Sequence, residues 1–153
     1  MPATGNKKFS EMLPRADLAG VVHLPQNART AIVDAARDLA YFYAEVDLSE
    51  VRTKDAFLAA LSEALSFPPW FGANWDALAD CLADMSWSNA DGYVLILLGA
   101  DKFQAHARDD FLTALTVLHD VAQTWAADGI PFWAFVDLLA DGIPLLRDLS
   151  ADQ

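Results

Sequence analysis

Residues 93–98 read Tyr-Val-Leu-Ile-Leu-Leu, an unbroken apolar run in the second half of the chain. A strand with one face in water alternates apolar and polar side chains, whereas an unbroken run is expected of a strand covered on both faces. The turn-forming residues Asn-Ala-Asp-Gly at 89–92 come directly before the run. The sequence therefore predicts a strand at 93–98 that is buried on both sides.

Strand and helix patterns alternate outward from this run. Strands are predicted at 20–24, 41–48 and 131–138, and helices at 29–39, 53–65, 74–85 and 111–125. Thr53 is the expected N-cap of the second helix, and Gly129 is expected to close the last one. The order β-α-β-α-α-β-α-β predicts an α/β fold, with a small, mainly parallel sheet of three to four strands packed with helices.

The composition is that of one folded domain. Of the 153 residues, 54% are hydrophobic and 21% are charged, which argues against a disordered chain. The length is sufficient for a substantial core, and no linker or internal repeat divides the chain. We therefore expect a flexible segment at 1–18, followed by a single domain at 19–153.

The charge and the cysteine content restrict partners and location. A net charge of −12 favours basic protein partners and disfavours nucleic acid and anionic membranes. No apolar run approaches the roughly 18 to 20 residues of a membrane span, and no apolar region of a signal peptide follows Lys7 and Lys8. The single cysteine, Cys81, excludes an intrachain disulfide, so a cytoplasmic location is expected.

The stretch that is most informative about function is 67–87, FPPWFGANWDALADCLADMSW. Its helix places Asp76, Asp80 and Asp84 at intervals of four residues, which aligns them on one stripe. The opposite stripe, predicted to face the core, consists of Trp75, Leu78, Leu82 and Met85. Like charges at this spacing repel by roughly a few tenths of a kcal/mol per pair. The acidic row therefore weakens the helix, and a positively charged partner would explain why it is present.

The acidic row has a structural interpretation as well as a functional one. A row of acids on an exposed helix is commonly only a solvated surface. However, Trp70 and Trp87 flank this row, and aromatic residues beside partly shielded charges are typical of protein-binding hot spots.

Each of three residues near the start of the helix can have a local structural role. Gly72 permits a turn with positive φ, and Asn74 can cap the helix through its side chain. Asp76 lies in the first turn, where the helix dipole favours a negative charge. Asp80 has no such benefit, so it is the acid for which a functional explanation is most needed.

An enzymatic function has weaker support. Two aspartates four residues apart can hold a divalent metal, but no histidine or further acid cluster lies nearby in sequence, and a phosphate-binding glycine loop is absent. The three histidines are dispersed at His23, His106 and His119. Cys81 lies among apolar residues and is expected to be packed rather than nucleophilic. We therefore expect no catalytic residue, metal or cofactor; a carboxylate–metal enzyme is the alternative that Mg²⁺ calorimetry would test.

The run FPPWFGANWDALADCL at 67–82 resembles the hallmark segment of the barstar family, small intracellular inhibitors of secreted bacterial ribonucleases such as barnase. The order of elements after Tyr41 is also similar to that family, so the resemblance covers about 41–136. It implies a barstar-like fold and, as partner, a basic extracellular-type ribonuclease whose active site is blocked by the acidic helix and the aromatic loop before it. We also expect a protein that is monomeric when free. A related interaction module that binds a different basic protein or toxin is the alternative.

The resemblance assigns a role to each matching residue. Asp80 is expected to enter the phosphate-binding pocket of the ribonuclease, and Asp76 to pair with further basic side chains. Trp70 is expected to pack on a catalytic histidine of the enzyme. Gly72 and Asn74 are expected to contribute contacts from the loop and the start of the helix.

The sequence also departs from the family pattern at the margin of this site. Ala79 stands where the family has a tryptophan, and Thr124 stands where it has a contacting glutamate, with Asp128 as the nearest acid. Trp87 is expected to line the same surface, although its spacing from the motif is two residues longer. The complete set of expected partner-binding residues is Trp70, Gly72, Asn74, Asp76, Ala79, Asp80, Asp84 and Trp87.

Overall fold

A computed structural model describes residues 8–68, 71–140 and 142–148. Its centre is a four-stranded, all-parallel sheet in the order β1-β4-β3-β2. The strands are β1 (Val21–His23), β2 (Phe42–Asp47), β3 (Tyr93–Leu98) and β4 (Phe132–Val136). Each strand lies within the range that the sequence predicts, and the α/β fold with a parallel sheet is confirmed.

The helices agree with the sequence in most places. They are α1 (Arg29–Asp38), α2 (Lys54–Leu65), α3 (Trp75–Asp84), α4 (Asp101–His106) and α5 (Arg108–Ala127), with a 3-10 turn at Ser86–Ser88. The Thr53 hydroxyl caps α2 by accepting a hydrogen bond from the Ala56 amide, as expected. The sequence did not predict α4, because six residues are too few to show a helical period.

The prediction of an irregular segment at 1–18 is wrong for residues 8–12. Residues 8–12 are helical, and the side chains of Phe9 and Leu13 are buried. The Trp133 indole N–H donates a hydrogen bond of 3.0 Å to the Leu13 carbonyl oxygen, which ties this segment to β4. Two apolar anchors in a short polar segment do not produce a periodic pattern, so the packing was not visible in the sequence. Residues 1–7 lie outside the described part of the chain.

The two central strands explain the unbroken apolar run. On β3, Leu95 and Leu97 point into a core cluster with α2, α3 and α5, whereas Val94 and Ile96 point into a second cluster with residues 8–13 and α1. β4 alternates in the same way, with Trp133 on the second side. We call the side covered by α2, α3 and α5 the first face of the sheet, and the side covered by residues 8–13 and α1 the second face.

The two ends of the described chain meet at one edge of the sheet. β1 pairs with β4 on its inner side, and on its outer side Val22 forms a parallel bridge with Arg147. The Arg147 guanidinium also donates to the Leu18 carbonyl oxygen at 2.7 Å. The described residues before β2 and after β4 are therefore part of the folded structure, and β1 and Arg147 extend the sheet at the edge opposite β2.

Candidate functional site

The start of α3 is a capped loop in which the predicted role of Asn74 is confirmed. The Asn74 side chain accepts a hydrogen bond of 2.7 Å from the Ala77 amide and donates one of 3.4 Å to the Gly72 carbonyl oxygen. Asn74 itself is extended, as an N-cap residue should be. These contacts determine where the helix begins relative to the loop.

The interpretation of Gly72 as a residue with positive φ is wrong. The left-handed residue of this loop is Ala73, at φ 53°. A Cβ atom on Gly72 would instead lie 3.3 Å from the Asn74 amide nitrogen and 3.6 Å from the Ala77 Cβ. Gly72 is therefore suited to this position because the loop passes close to the capping side chain.

One stripe of α3 anchors the helix in the core of the first face. Leu78, Cys81 and Leu82 are completely buried, and Met85 is buried just after the helix ends. The prediction for Trp75 is correct only in part, because its side chain is half-buried at the margin, with its ring centroid 6.1 Å from that of Phe57. α3 is thus held along most of its length against α5 and α2.

The opposite stripe displays the acidic row to solvent. Asp76, Asp80 and Asp84 are all exposed. Asp84 accepts a hydrogen bond of 3.1 Å from the Ser86 hydroxyl. Ala79 is half-exposed beside Asp80, so only a methyl group stands next to that carboxylate.

Within residues 8–68, 71–140 and 142–148, the acidic row has no compensating positive charge. The ion pairs of the described residues are Arg15–Asp17, Arg29–Glu45, Asp34–Arg37 and Glu50–Lys102, and none of them involves α3. The sequence contains no lysine, arginine or histidine from Asp55 to Asp101. The carboxylates of Asp76 and Asp80 are therefore available to an external cation.

The negative charges of the row also affect a side chain on the buried stripe of the helix. Burial, together with the negative charges of Asp80 and Asp84, raises the pKa of the Cys81 thiol. A buried thiol with a raised pKa is a poor nucleophile, which supports the packed role expected for Cys81.

The carboxyl end of α3 is held by contacts that the sequence does not predict. Met85 follows the helix in the left-handed region, at φ 47°, and its amide donates to the Cys81 carbonyl oxygen. The buried indole N–H of Trp125, on α5, donates a hydrogen bond of 2.9 Å to the Leu82 carbonyl oxygen. Since Leu82 and Trp125 are 43 residues apart, no local sequence pattern could have indicated this pair.

The structure describes the other predicted contact residues to different extents. Trp70 falls outside the described residues, and of Trp87 the structure describes only its backbone position in the 3-10 turn. Thr124 is exposed on α5, and its hydroxyl donates to the Asp120 carbonyl oxygen of its own helix. Asp128 is exposed at the C-cap of α5.

The described residues do not form a metal centre or a candidate membrane span. In the part of the chain that the structure describes, no group of three or more histidine, cysteine, aspartate or glutamate side chains could hold a metal ion. Within that part, too, every helix is too short or too polar to cross a membrane.

Fold and site together define an α/β protein that displays an exposed acidic helix on one side of a parallel sheet. The family model described as Barstar (barnase inhibitor) matches residues 41–137, nearly two thirds of the chain, so the chain belongs to the barstar family. This match agrees with the range of about 41–136 over which the sequence resembles that family. A search of curated proteins found no significant match to the chain.

Proposed function

We propose that this protein is an inhibitor of a basic ribonuclease, and that it blocks the active site of the enzyme with α3 and the loop before it. The observation that carries the proposal is the exposed acidic row, which forms no ion pair with any residue that the structure describes, in a member of the family described as barnase inhibitors. The function is binding rather than catalysis.

The chemistry of a ribonuclease active site fits the acidic row. Such a site must hold the phosphates of RNA, so it presents several positive groups in one cleft. Along an α-helix, residues four apart are separated by about 6 Å, so Asp76, Asp80 and Asp84 present negative charges in a short, regular series. Carboxylates held in this way can occupy the place of the phosphates and, on a protein of charge −12, accelerate the encounter with a basic enzyme.

The residues of the site have different proposed roles. Asp80 is the central contact, because it is exposed in the middle of the row and forms no ion pair with the described part of the chain. Asp76 binds further basic groups beside it, and Asp84 lies at the margin, where Ser86 already occupies one of its oxygens. The small side chain of Ala79 allows a close approach of the partner next to Asp80.

The loop and its aromatic residues complete the proposed surface. Gly72 and Asn74 contribute the backbone and the cap that lead into α3. We propose Trp70 and Trp87 as aromatic contacts on either side of the acidic row, by analogy with protein-binding hot spots. The buried stripe of α3 supports this surface by keeping the helix in one position before the partner arrives, which lowers the ordering cost of binding.

The proposed setting is the cytoplasm of a cell that makes the ribonuclease. An enzyme destined for export has to be kept inactive before it leaves, and a free inhibitor with a single, buried cysteine is compatible with a reducing compartment. We propose that the inhibitor acts as a monomer and forms a one-to-one complex.

The decisive experiment compares two changes of equal charge. Inhibition and binding are measured against barnase and a panel of other basic extracellular ribonucleases, including any encoded beside this protein. Asp80→Asn removes one charge from the acidic row, and Glu11→Gln removes one charge from an exposed position on the second face of the sheet. A hot-spot residue costs about 2 kcal/mol or more when changed, so Asp80→Asn should weaken binding roughly 30-fold or more. Glu11→Gln should change the affinity by less than about twofold, because only the overall charge differs.

Three outcomes decide the proposal. Strong inhibition that depends on Asp80, with an association rate that falls as salt rises, supports it. Equal effects of Asp80→Asn and Glu11→Gln would place the binding surface elsewhere. A third outcome is that the protein inhibits no ribonuclease of the panel but captures, through Asp80, a basic protein that is not a nuclease. The protein would then be an interaction module for that other partner.

A further inference from the structure

The carboxyl end of α3 contains a backbone carbonyl whose partner comes from another helix. A helix leaves its last four carbonyl groups without intrahelical partners. In α3 the chain turns into the left-handed region at Met85, so residue 86 does not donate to Leu82, and the Trp125 indole N–H supplies the bond instead. This hydrogen bond is buried, where an unpaired carbonyl is costly.

Trp125 is in turn held by the sheet. Its ring centroid is 4.9 Å from that of Tyr93, the first residue of β3, which is completely buried. The Tyr93 hydroxyl accepts a hydrogen bond of 3.1 Å from the Ala90 amide, in the turn that follows α3 and the 3-10 segment. Trp125 and Tyr93 together connect the last turn of α3 and the chain after it to the rigid centre of the protein.

We propose that Trp125 is a positioning residue for the acidic helix, whose hydrogen bond to the Leu82 carbonyl keeps the last turn of α3 formed. Its consequence for ribonuclease binding rests on the proposed function. When the last turn opens, Asp84 leaves the row and the helix beneath Asp80 loses its support. Binding then has to close the turn again, and the apparent affinity equals the intrinsic affinity multiplied by the fraction of molecules in which the turn is closed.

The chain offers a matched control for this role. Trp133 makes the same type of contact, since its buried indole N–H donates to the Leu13 carbonyl oxygen at 3.0 Å. That contact lies on the second face of the sheet, whereas α3 packs on the first. Trp125→Phe and Trp133→Phe therefore remove the same donor from a buried tryptophan and leave the net charge unchanged.

The first measurement is native-state hydrogen exchange, which does not involve a partner. The Met85 amide reports on the end of α3, and the Leu13 amide, bonded to the Phe9 carbonyl oxygen, reports on the N-terminal helical segment. Trp125→Phe should speed exchange at Met85 about tenfold more than at Leu13, and Trp133→Phe should show the reverse preference. Equal acceleration of both amides by Trp125→Phe, or none at Met85, overturns the proposal.

The second measurement is the kinetics of binding to barnase, or to whichever ribonuclease of the panel the wild-type chain inhibits. Trp125→Phe should raise the dissociation rate about tenfold and leave the association rate within about twofold, because long-range steering depends on charge. Trp133→Phe should change neither rate by more than about twofold. Equal effects of the two variants would assign Trp125 a role in general stability only. If the wild-type chain binds no ribonuclease, the proposed function fails, while hydrogen exchange still decides whether Trp125 positions α3.

Discussion

The cap of the acidic helix provides a prediction that separates stability from partner binding. Asn74→Ala removes the oxygen that accepts from the Ala77 amide at 2.7 Å and also the weaker 3.4 Å contact with the Gly72 carbonyl oxygen. Loss of a side-chain N-cap costs about 1 kcal/mol, within a range of about 0.5 to 2 kcal/mol. The second contact is exposed and long, so it adds little. The helix itself should remain, because the buried side chains of Leu78 and Leu82 hold it to the core.

The effect on unfolding can be measured in urea. With a slope of about 2 kcal/mol per molar urea for a protein of this size, a loss of about 1 kcal/mol lowers the midpoint by about 0.5 M. Thr53→Ala is the matched control, because it removes the equivalent cap of α2, where the Thr53 hydroxyl accepts from the Ala56 amide at 3.1 Å. Both variants should lose similar stability.

Binding should distinguish these two caps. Asn74→Ala loosens the loop and first turn beside Asp76, so it should weaken ribonuclease binding by up to about fivefold. Thr53→Ala should leave the affinity unchanged, because α2 lies outside the proposed surface. The reasoning is refuted if Asn74→Ala unfolds at the wild-type urea midpoint, or if the two variants weaken binding equally.

Two further predictions concern the core. A chain that begins at residue 41 lacks residues 8–13 and α1, which pack with Val94, Ile96 and Trp133 on the second face, so it should show no cooperative urea transition by circular dichroism; a midpoint equal to that of the full chain would contradict this. The raised pKa of Cys81 means that the unfolded thiol loses its proton at a lower pH than the folded one. The free energy of unfolding should be unaffected below about pH 8.5 and should fall above it by at most about 1.4 kcal/mol per pH unit. When urea unfolding is measured from pH 7.5 to 9.5, the free energy of unfolding should depend less on pH in Cys81→Ala than in the wild type. The same pH dependence in both proteins would count against the raised pKa of Cys81.

The elements predicted correctly are those whose signal is local. Thr53 and Asn74 were recognised as caps because a capping side chain binds an amide three residues further along the chain. The strand at Tyr93–Leu98 was recognised because a parallel strand buried on both faces has no polar side of its own.

The elements that were missed depend on distant partners. The helical residues 8–12 pack only because β4 and α1 are present beneath them. At the start of α3, the sequence suggested that Gly72 would take the left-handed conformation, but Ala73 takes it. The tight approach of Asn74 to Gly72 depends on how the loop and the helix meet, and residue propensities do not contain this information.

The sequence by itself determined the alternation of strands and helices, the family, and the row of Asp76, Asp80 and Asp84 on one side of a helix. These properties follow from periodicity, capping and charge, which act over a few residues. Only the tertiary structure decided that the row forms no ion pair with any other described residue and that Trp125 completes the last turn of α3. The physical reason is that burial and ion pairing depend on residues that are far apart in the chain and become neighbours only after the sheet has formed.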